Sequence, residues 1–153
     1  KQLHTHRSEW QYPGGCLNID GHVVRYKKLL VAGLEGSMRY NNSQYFQYSE
    51  NEMARKAWAL VPTLLWNTLR YGRYLDILIT HAPPRGIHDK PDRCHTGFQA
   101  FVTFMNRFRP RYLLHGHVHV YHPNEVTESV YRDTIVKNAY GYQVIEIEED
   151  SLQ

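Results

Sequence analysis

Residues 75–119 open with Leu75-Asp76-Ile77-Leu78-Ile79-Thr80-His81 and close with Arg111-Tyr112-Leu113-Leu114-His115-Gly116-His117-Val118-His119. The first is a short, almost continuous apolar run, the pattern of a strand buried on both faces. Arg111 to His115 reads as a second such strand. Between them, after a proline-punctuated loop from Ala82 to His95, Gly97 to Phe108 sets Phe98, Phe101, Val102 and Met105 on one helical face, and Pro110 ends the helix. Strand, helix, strand is a βαβ unit, whose right-handed crossover makes its two strands parallel. Their carboxyl ends share one sheet edge, which is where open α/β sheets bind ligands. His81 after the first strand, and His117 and His119 after the second, therefore face one crevice.

Three imidazoles on one edge repel one another whenever they are protonated. A bound cation removes that cost, and neutral imidazole is the commonest metal ligand at physiological pH. If Gly116 supplies a tight turn and residues 117–119 are extended, His117 and His119 point to the same side and can serve one metal or two neighbouring metals. A single His-x-His is more often structural or solvated than a ligand. The third histidine, at the end of the neighbouring strand, is what turns the reading toward metal. His115 belongs to the buried strand and reads as a satisfied core residue or a support for the ligands. His4, His6 and His122 read as surface residues.

Outward from this unit, Ser49 and Glu52 form a capping box, and Met53, Ala57, Leu60, Val61, Leu64, Leu65 and Thr68 recur at helical spacing up to Gly72. One long helix is expected, with Trp58 and Trp66 as core or interface residues. Upstream, His22 to Tyr26 and Leu29 to Gly33 read as strands joined by a turn at Lys27-Lys28. The stretch from Gly33 to Tyr48 has no periodicity and reads as a long surface loop. Within it Arg39 and Asn41, with Ser37, Asn42 and Tyr45 around them, are candidate contacts to phosphate or to the rest of a substrate. The segment up to about Tyr12 reads as a polar loop or tail. Downstream, stretches near Glu125 to Tyr131, Thr134 to Lys137 and Tyr142 to Ile147 read as a meander of antiparallel strands.

With 153 residues and 42% hydrophobic content, the chain suits one domain over 1–153. Its net charge of +3 is spread thinly, so nucleic acid is not indicated as a partner. No apolar run is long enough to span a membrane, and none resembles a signal peptide. A first residue of Lys suggests a processed or trimmed chain or a fragment. Cys16 and Cys94 lack Cys-x-x-Cys spacing, which points to incidental thiols in a cytoplasmic setting.

Thr80-His81-Ala82-Pro83-Pro84 and the Gly-His-x-His of Gly116-His117-Val118-His119 resemble motifs of the calcineurin-like metallophosphoesterases. Gly33-Leu34-Glu35-Gly36-Ser37, Arg39-Tyr40-Asn41, Gly86, Asp89 and His95 to Gly97 resemble a bacterial-type branch, and the likeness runs from about Gly15 to Glu146. It implies an α/β fold, part of a four-layer sandwich of two mixed sheets flanked by helices. It also implies hydrolysis of a phosphoester by a metal-activated water at a binuclear centre of two divalent ions, manganese, iron or zinc. His81 and His117 would bind one ion and His119 the other, with Asp89 and His95 as supporting residues. The family's D-x-H, G-D-x-x-D and G-N-H-D/E motifs are not found, so the chain matches a C-terminal portion of such a domain.

Two look-alikes are set aside. Asp20-Gly21-His22 spells D-x-H but has the chemistry of a hairpin turn. Asp89-Lys90-Pro91-Asp92 spells D-x-x-D but follows His81, which is the wrong order. The isolated chain is accordingly expected to be inactive, its missing carboxylates coming from an N-terminal part or from another chain. Two rival readings are a non-catalytic binding or scaffold module of the same fold and a metallo-β-lactamase-like hydrolase. The latter rests on His117-Val118-His119-Val120-Tyr121-His122, where Tyr121 stands in place of an essential Asp.

Overall fold

The computed structural model describes residues 16–42, 45–122 and 124–147. The expected N-terminal tail, with His4 and His6, lies outside them. Strands β1 (Val23–Tyr26) and β2 (Leu29–Leu34) form the expected hairpin, with Lys27 and Lys28 between them and Lys27 at positive φ. Strand β5 (Ile77–Thr80) lies parallel to β2 and to β6 (Tyr112–His115), with helix α3 (Gln99–Phe108) between β5 and β6 in sequence. Strands β7 (Glu128–Tyr131) and β8 (Thr134–Asn138) pair antiparallel, while β8 joins β6 in parallel. The result is a mixed six-stranded sheet ordered β1-β2-β5-β6-β8-β7.

The C-terminal meander is therefore only half realised. Residues 142–147 carry a strand-like alternation but have no ladder partner among the described residues, and alternation alone does not make a strand. The described part of the Gly33 to Tyr48 stretch is also more than a loop. It contains the parallel pair β3 (Ser37–Met38) and β4 (Gln47–Tyr48), held by the Ser37 and Arg39 N–H groups donating to the Phe46 and Tyr48 carbonyls. Asp20-Gly21-His22 is a turn, with Gly21 at φ +66° and the His22 N–H donating to the Ile19 carbonyl, but it does not connect a hairpin. Asp20 instead bridges in parallel to Gly33, and its carboxylate accepts from the Glu35 N–H and Lys56 Nζ.

One expected helix is two. Helix α1 (Glu50–Ala59) starts at the Ser49 capping box, and helix α2 (Val61–Tyr71) starts after Leu60 and ends at Gly72 in the left-handed conformation. Pro62 causes the break, because it lacks an N–H and tolerates only the first turn of a helix. Replacing Ser49 by Ala should lower stability by about 1 kcal/mol in urea denaturation, since it orphans a first-turn N–H. Helix α3 has no side-chain cap of its own. The Glu50 carboxylate reaches across from α1 and accepts from the Gln99 and Ala100 N–H groups, at 3.0 and 2.6 Å. A negative charge there also complements the helix dipole.

The helices cover one face of the sheet. Leu30, Ala32, Leu34, Leu78, Leu113 and Val136 from the strands pack with Met53, Leu64, Phe98, Phe101, Phe104 and Met105. The one carboxylate in the central strand run, Asp76, is buried and satisfied by the Leu30 N–H and Arg73. Trp58 and Trp66 do not join this core; they are 53% and 64% exposed. Both flank the buried stripe of their helices instead of lying on it. Among the described residues no helix is long and apolar enough to cross a membrane.

Candidate metal centre

Parallel pairing of β5 with β6 brings their exits together, as connectivity requires. The Gly116 N–H donates to the His81 carbonyl at 3.1 Å, and the His81 N–H donates to the Leu34 carbonyl at 3.3 Å. His81 Nε2 then lies 2.9 Å from His117 Nδ1. His117 is at φ +64°, and the Val118 N–H donates across it to the Gly116 carbonyl at 2.7 Å, a tight γ-turn of the rare, strained hand. The turn residue is thus His117, not Gly116. A Cβ on Gly116 would meet nothing closer than the His81 carbonyl at 4.0 Å. Strain kept at a non-glycine residue is a mark of functional sites.

This turn breaks the alternation that would have set His117 and His119 side by side. His119 Nδ1 is hydrogen-bonded to the Tyr121 hydroxyl at 3.0 Å, and its ring lies 4.7 Å from that of Tyr140. The structure brings His81 and His117 into contact and seats His119 between two tyrosines.

The proton positions follow from the partners. His117 Nε2 is 2.8 Å from the Cys94 carbonyl, which can only accept, so Nε2 carries the hydrogen and Nδ1 presents a lone pair toward His81. A metal-binding imidazole is typically oriented in this way, with its other N–H held by a carbonyl or carboxylate. Burial, reinforced by the neighbouring His117, lowers the His81 pKa and favours the neutral ligand form. His95 meets the same criterion: its Nδ1 donates to the Asp92 carboxylate at 2.8 Å, and its ring lies 5.1 Å from that of His117. Cys94 Sγ is 3.9 Å from His117 Nε2, and burial, then the Asp92 charge, push the thiol pKa up.

A second histidine pair lies behind the first. His115, only 1% exposed, must donate from Nδ1 to the Gly116 carbonyl at 3.1 Å, so its Nε2 accepts from His88 Nδ1 at 2.9 Å. His88 Nε2 in turn accepts from the Ser129 hydroxyl at 2.8 Å. Burial holds His115 down to about 4, with His88 and His117 adding to the shift against the Gly116 hydrogen bond. Burial also lowers the His88 pKa. This directed chain supports the carbonyl that closes the His117 turn.

Of the other sequence candidates, Asp89 accepts from the Gly97 N–H at 3.0 Å and so shapes the loop before α3. Arg39 pairs with Glu52 at 2.9 Å, and the Asn41 N–H approaches Gln47 Oε1 at 3.4 Å. Neither Arg39 nor Asn41 lines the cleft of about 410 Å³ beside His81 and His117; Glu35, Tyr40, Tyr45, Phe46 and Gln47 do. Tyr45 is among the residues the sequence offers around Arg39; sequence reasoning passed over Tyr40 and Phe46, and over Cys94, whose adjacency to His95 was the available signal.

No curated protein matches the chain significantly. One crystal structure matches with a TM-score of 0.54 at 20% identity, covering 88% of this chain and 49% of its own. A protein of Thermus thermophilus matches with a TM-score of 0.50 at 13% identity, covering 86% of this chain and 52% of its own. The chain thus spans about half the length of these structures, and at such identities the likeness concerns the fold. The family model for calcineurin-like phosphoesterases matches residues 3–121, which include His81, the loop carrying Cys94 and His95, and His117 and His119. The chain belongs to the calcineurin-like phosphoesterase family.

Proposed function

We propose that this chain supplies the histidine side of a centre that hydrolyses phosphoesters with the help of divalent metal. The observation that carries the reading is the His81 and His117 pair, two imidazoles whose facing nitrogens are 2.9 Å apart. Two nitrogens bound to one ion at about 2.0 to 2.1 Å each lie roughly this far apart when they meet at a right angle. The donor set fits one ion, manganese, iron or zinc. His119, on its tyrosines, is the chain's ligand for a second ion in the complete centre. Bound metal would supply a water of lowered pKa and neutralise the phosphoryl oxygens.

The chain's own groups set the conditions for that chemistry. The Cys94 carbonyl fixes the His117 ring, and the strained turn aims it at His81. Tyr40 and Tyr45 wall the adjoining cleft and offer surface to the part of the substrate away from phosphorus. Arg39 and Asn41, on the same segment as Tyr40, are candidate contacts at its margin. The pair contains no carboxylate, so it leaves the charge of two dications uncompensated. The compensating carboxylates come from elsewhere in a longer polypeptide or from another chain.

Loaded with manganese, this chain alone should turn over a generic phosphodiester negligibly. A longer polypeptide that adds the acidic ligands should be active and lose activity on His117→Ala. Turnover by the chain alone at ordinary enzyme rates would contradict the reading. A second reading, a non-catalytic module of the same fold, draws support from His119 being occupied with Tyr121 and Tyr140. Metal stoichiometry separates the two, because a working centre needs two ions and a scaffold needs none.

A further inference from the structure

We propose that Cys94, His95 and His117 form a distinct site for a soft divalent ion such as zinc, one that competes with the His81 and His117 pair for a single imidazole. Among the described residues, these three side chains each offer a ligand atom, and the three atoms lie within 4.8 Å of one another. No carboxylate belongs to the group, and a thiol with two imidazoles is the donor set that zinc selects over magnesium, calcium or manganese.

The two nitrogens of His117 face opposite partners. Nδ1 is 2.9 Å from His81 Nε2, while Nε2 is 2.8 Å from the Cys94 carbonyl and 3.9 Å from Cys94 Sγ. Zinc sits about 2.3 Å from sulfur and about 2.0 to 2.1 Å from nitrogen, so one ion spans that gap with a bent S–Zn–N angle. His95 is already set for the task. Its Nδ1 hydrogen is committed to Asp92, whose carboxylate also takes the Cys94 and His95 backbone N–H groups at 3.2 and 3.1 Å. The loop that carries both ligands is therefore organised around one carboxylate outside the ligand set, as metal sites commonly are.

Proton bookkeeping shows why the two sites exclude each other. For His117 Nε2 to bind metal, its hydrogen must move to Nδ1, where it meets His81 Nε2 as an acceptor at 2.9 Å. The hydrogen bond between the two histidines reverses direction and survives, the His81 hydrogen passing to its own Nδ1, while the Cys94 carbonyl gives up the hydrogen it took from His117 Nε2. The Cys94 thiol loses its proton to solvent, one proton per ion. While zinc is held in this way, His117 Nδ1 carries a hydrogen and has no lone pair to share with an ion at His81. The inference meets the phosphoesterase reading only in sharing His117, and its ligands are otherwise its own.

The test is anaerobic titration of cobalt(II) into the full chain, followed by displacement with zinc. A sulfur-to-cobalt charge-transfer band in the near ultraviolet should saturate at one equivalent, with release of one proton, in wild type and in Cys16→Ser. Cys94→Ser should abolish the band and weaken zinc by more than the roughly 10- to 100-fold that loss of an outer-sphere partner costs. His95→Ala should weaken zinc comparably, while His81→Ala keeps the band. Cobalt binding without the band, or a band that survives Cys94→Ser, would overturn the site. If that binding also disappeared in His81→Ala, the phosphoesterase pair would stand and this inference would fall. A band retained in His81→Ala, in a chain that binds no manganese, would sustain the thiolate site and count against the pair. Thermal melts of each variant report whether it is folded, and the wild-type band reads the thiolate ligand without any substitution.

Discussion

Gly97→Ala should lower the stability of the chain by about 3 kcal/mol, the upper end of what overpacking costs. A Cβ built on Gly97 would lie 2.5 Å from the Pro84 carbonyl oxygen, 2.6 Å from the Pro84 carbonyl carbon and 2.7 Å from the Pro83 carbonyl oxygen. All three are backbone atoms, so no side chain can rotate out of the way. Nor is the backbone free to shift. The Gly97 N–H is held by Asp89, its carbonyl accepts from Arg85 Nε at 2.7 Å, and the Phe98 N–H and carbonyl pair with Pro83 and Arg85. Moving this segment gives up several of these bonds together and displaces the loop that carries Cys94 and His95. Urea denaturation of wild type and variant reads the difference. Gly116→Ala is the control: with its nearest contact at 4.0 Å, it should change stability by less than about 1 kcal/mol. Equal losses in the two variants would contradict this view of the loop.

Acid should weaken the fold through His115. Its imidazole is held down to about 4, against an ordinary value of 6.5, so the folded chain refuses a proton that the unfolded chain accepts. The contribution of neutral His115 is complete above about pH 6.5, declines as the pH falls through that value, and is fully lost near pH 4. A shift of this size corresponds to about 3 kcal/mol, the larger part of which falls between pH 6 and pH 4. The pKa values of His81 and His88 are also lowered, which adds in the same direction. Unfolding free energies measured in metal-free buffer at pH 7.5 and pH 4.5 test this, with His115→Gln expected to flatten the slope. An equally steep slope in His115→Gln would assign the acid sensitivity to other groups.

Much of the architecture could be read from local patterns. Two apolar runs flanking a helical stripe were enough to place β5, α3 and β6 and to predict that His81 and His117 meet, because a βαβ crossover leaves little choice about which strand ends coincide. What escaped the sequence depends on single backbone angles and on distant partners. The positive φ of His117 has no composition signal, since the residue that would advertise it, glycine, stands one position earlier. That one angle sends His119 to Tyr121 and Tyr140 and turns His117 toward His81 and Cys94. The break at Leu60 was hidden because Pro62 in a first helical turn does not disturb the spacing of the apolar residues around it. For Trp58 and Trp66 the sequence left core and interface open, because a wide aromatic side chain beside an apolar stripe can turn outward as easily as inward; both turn outward. Cys94 was passed over because its nearness to His117 comes from folding, and its adjacency to His95 was the one local sign of it.

The central claim is that His81 and His117 together hold one divalent ion. The most direct measurement is the imidazole ¹⁵N–¹H NMR spectrum of the chain during manganese(II) titration, since the paramagnetic ion broadens the signals of the rings nearest to it. The account predicts that the His81 and His117 signals disappear first and together, while those of the exposed His22 and His122 persist. It is contradicted if both remain sharp while other histidines broaden, or if only one of the two responds.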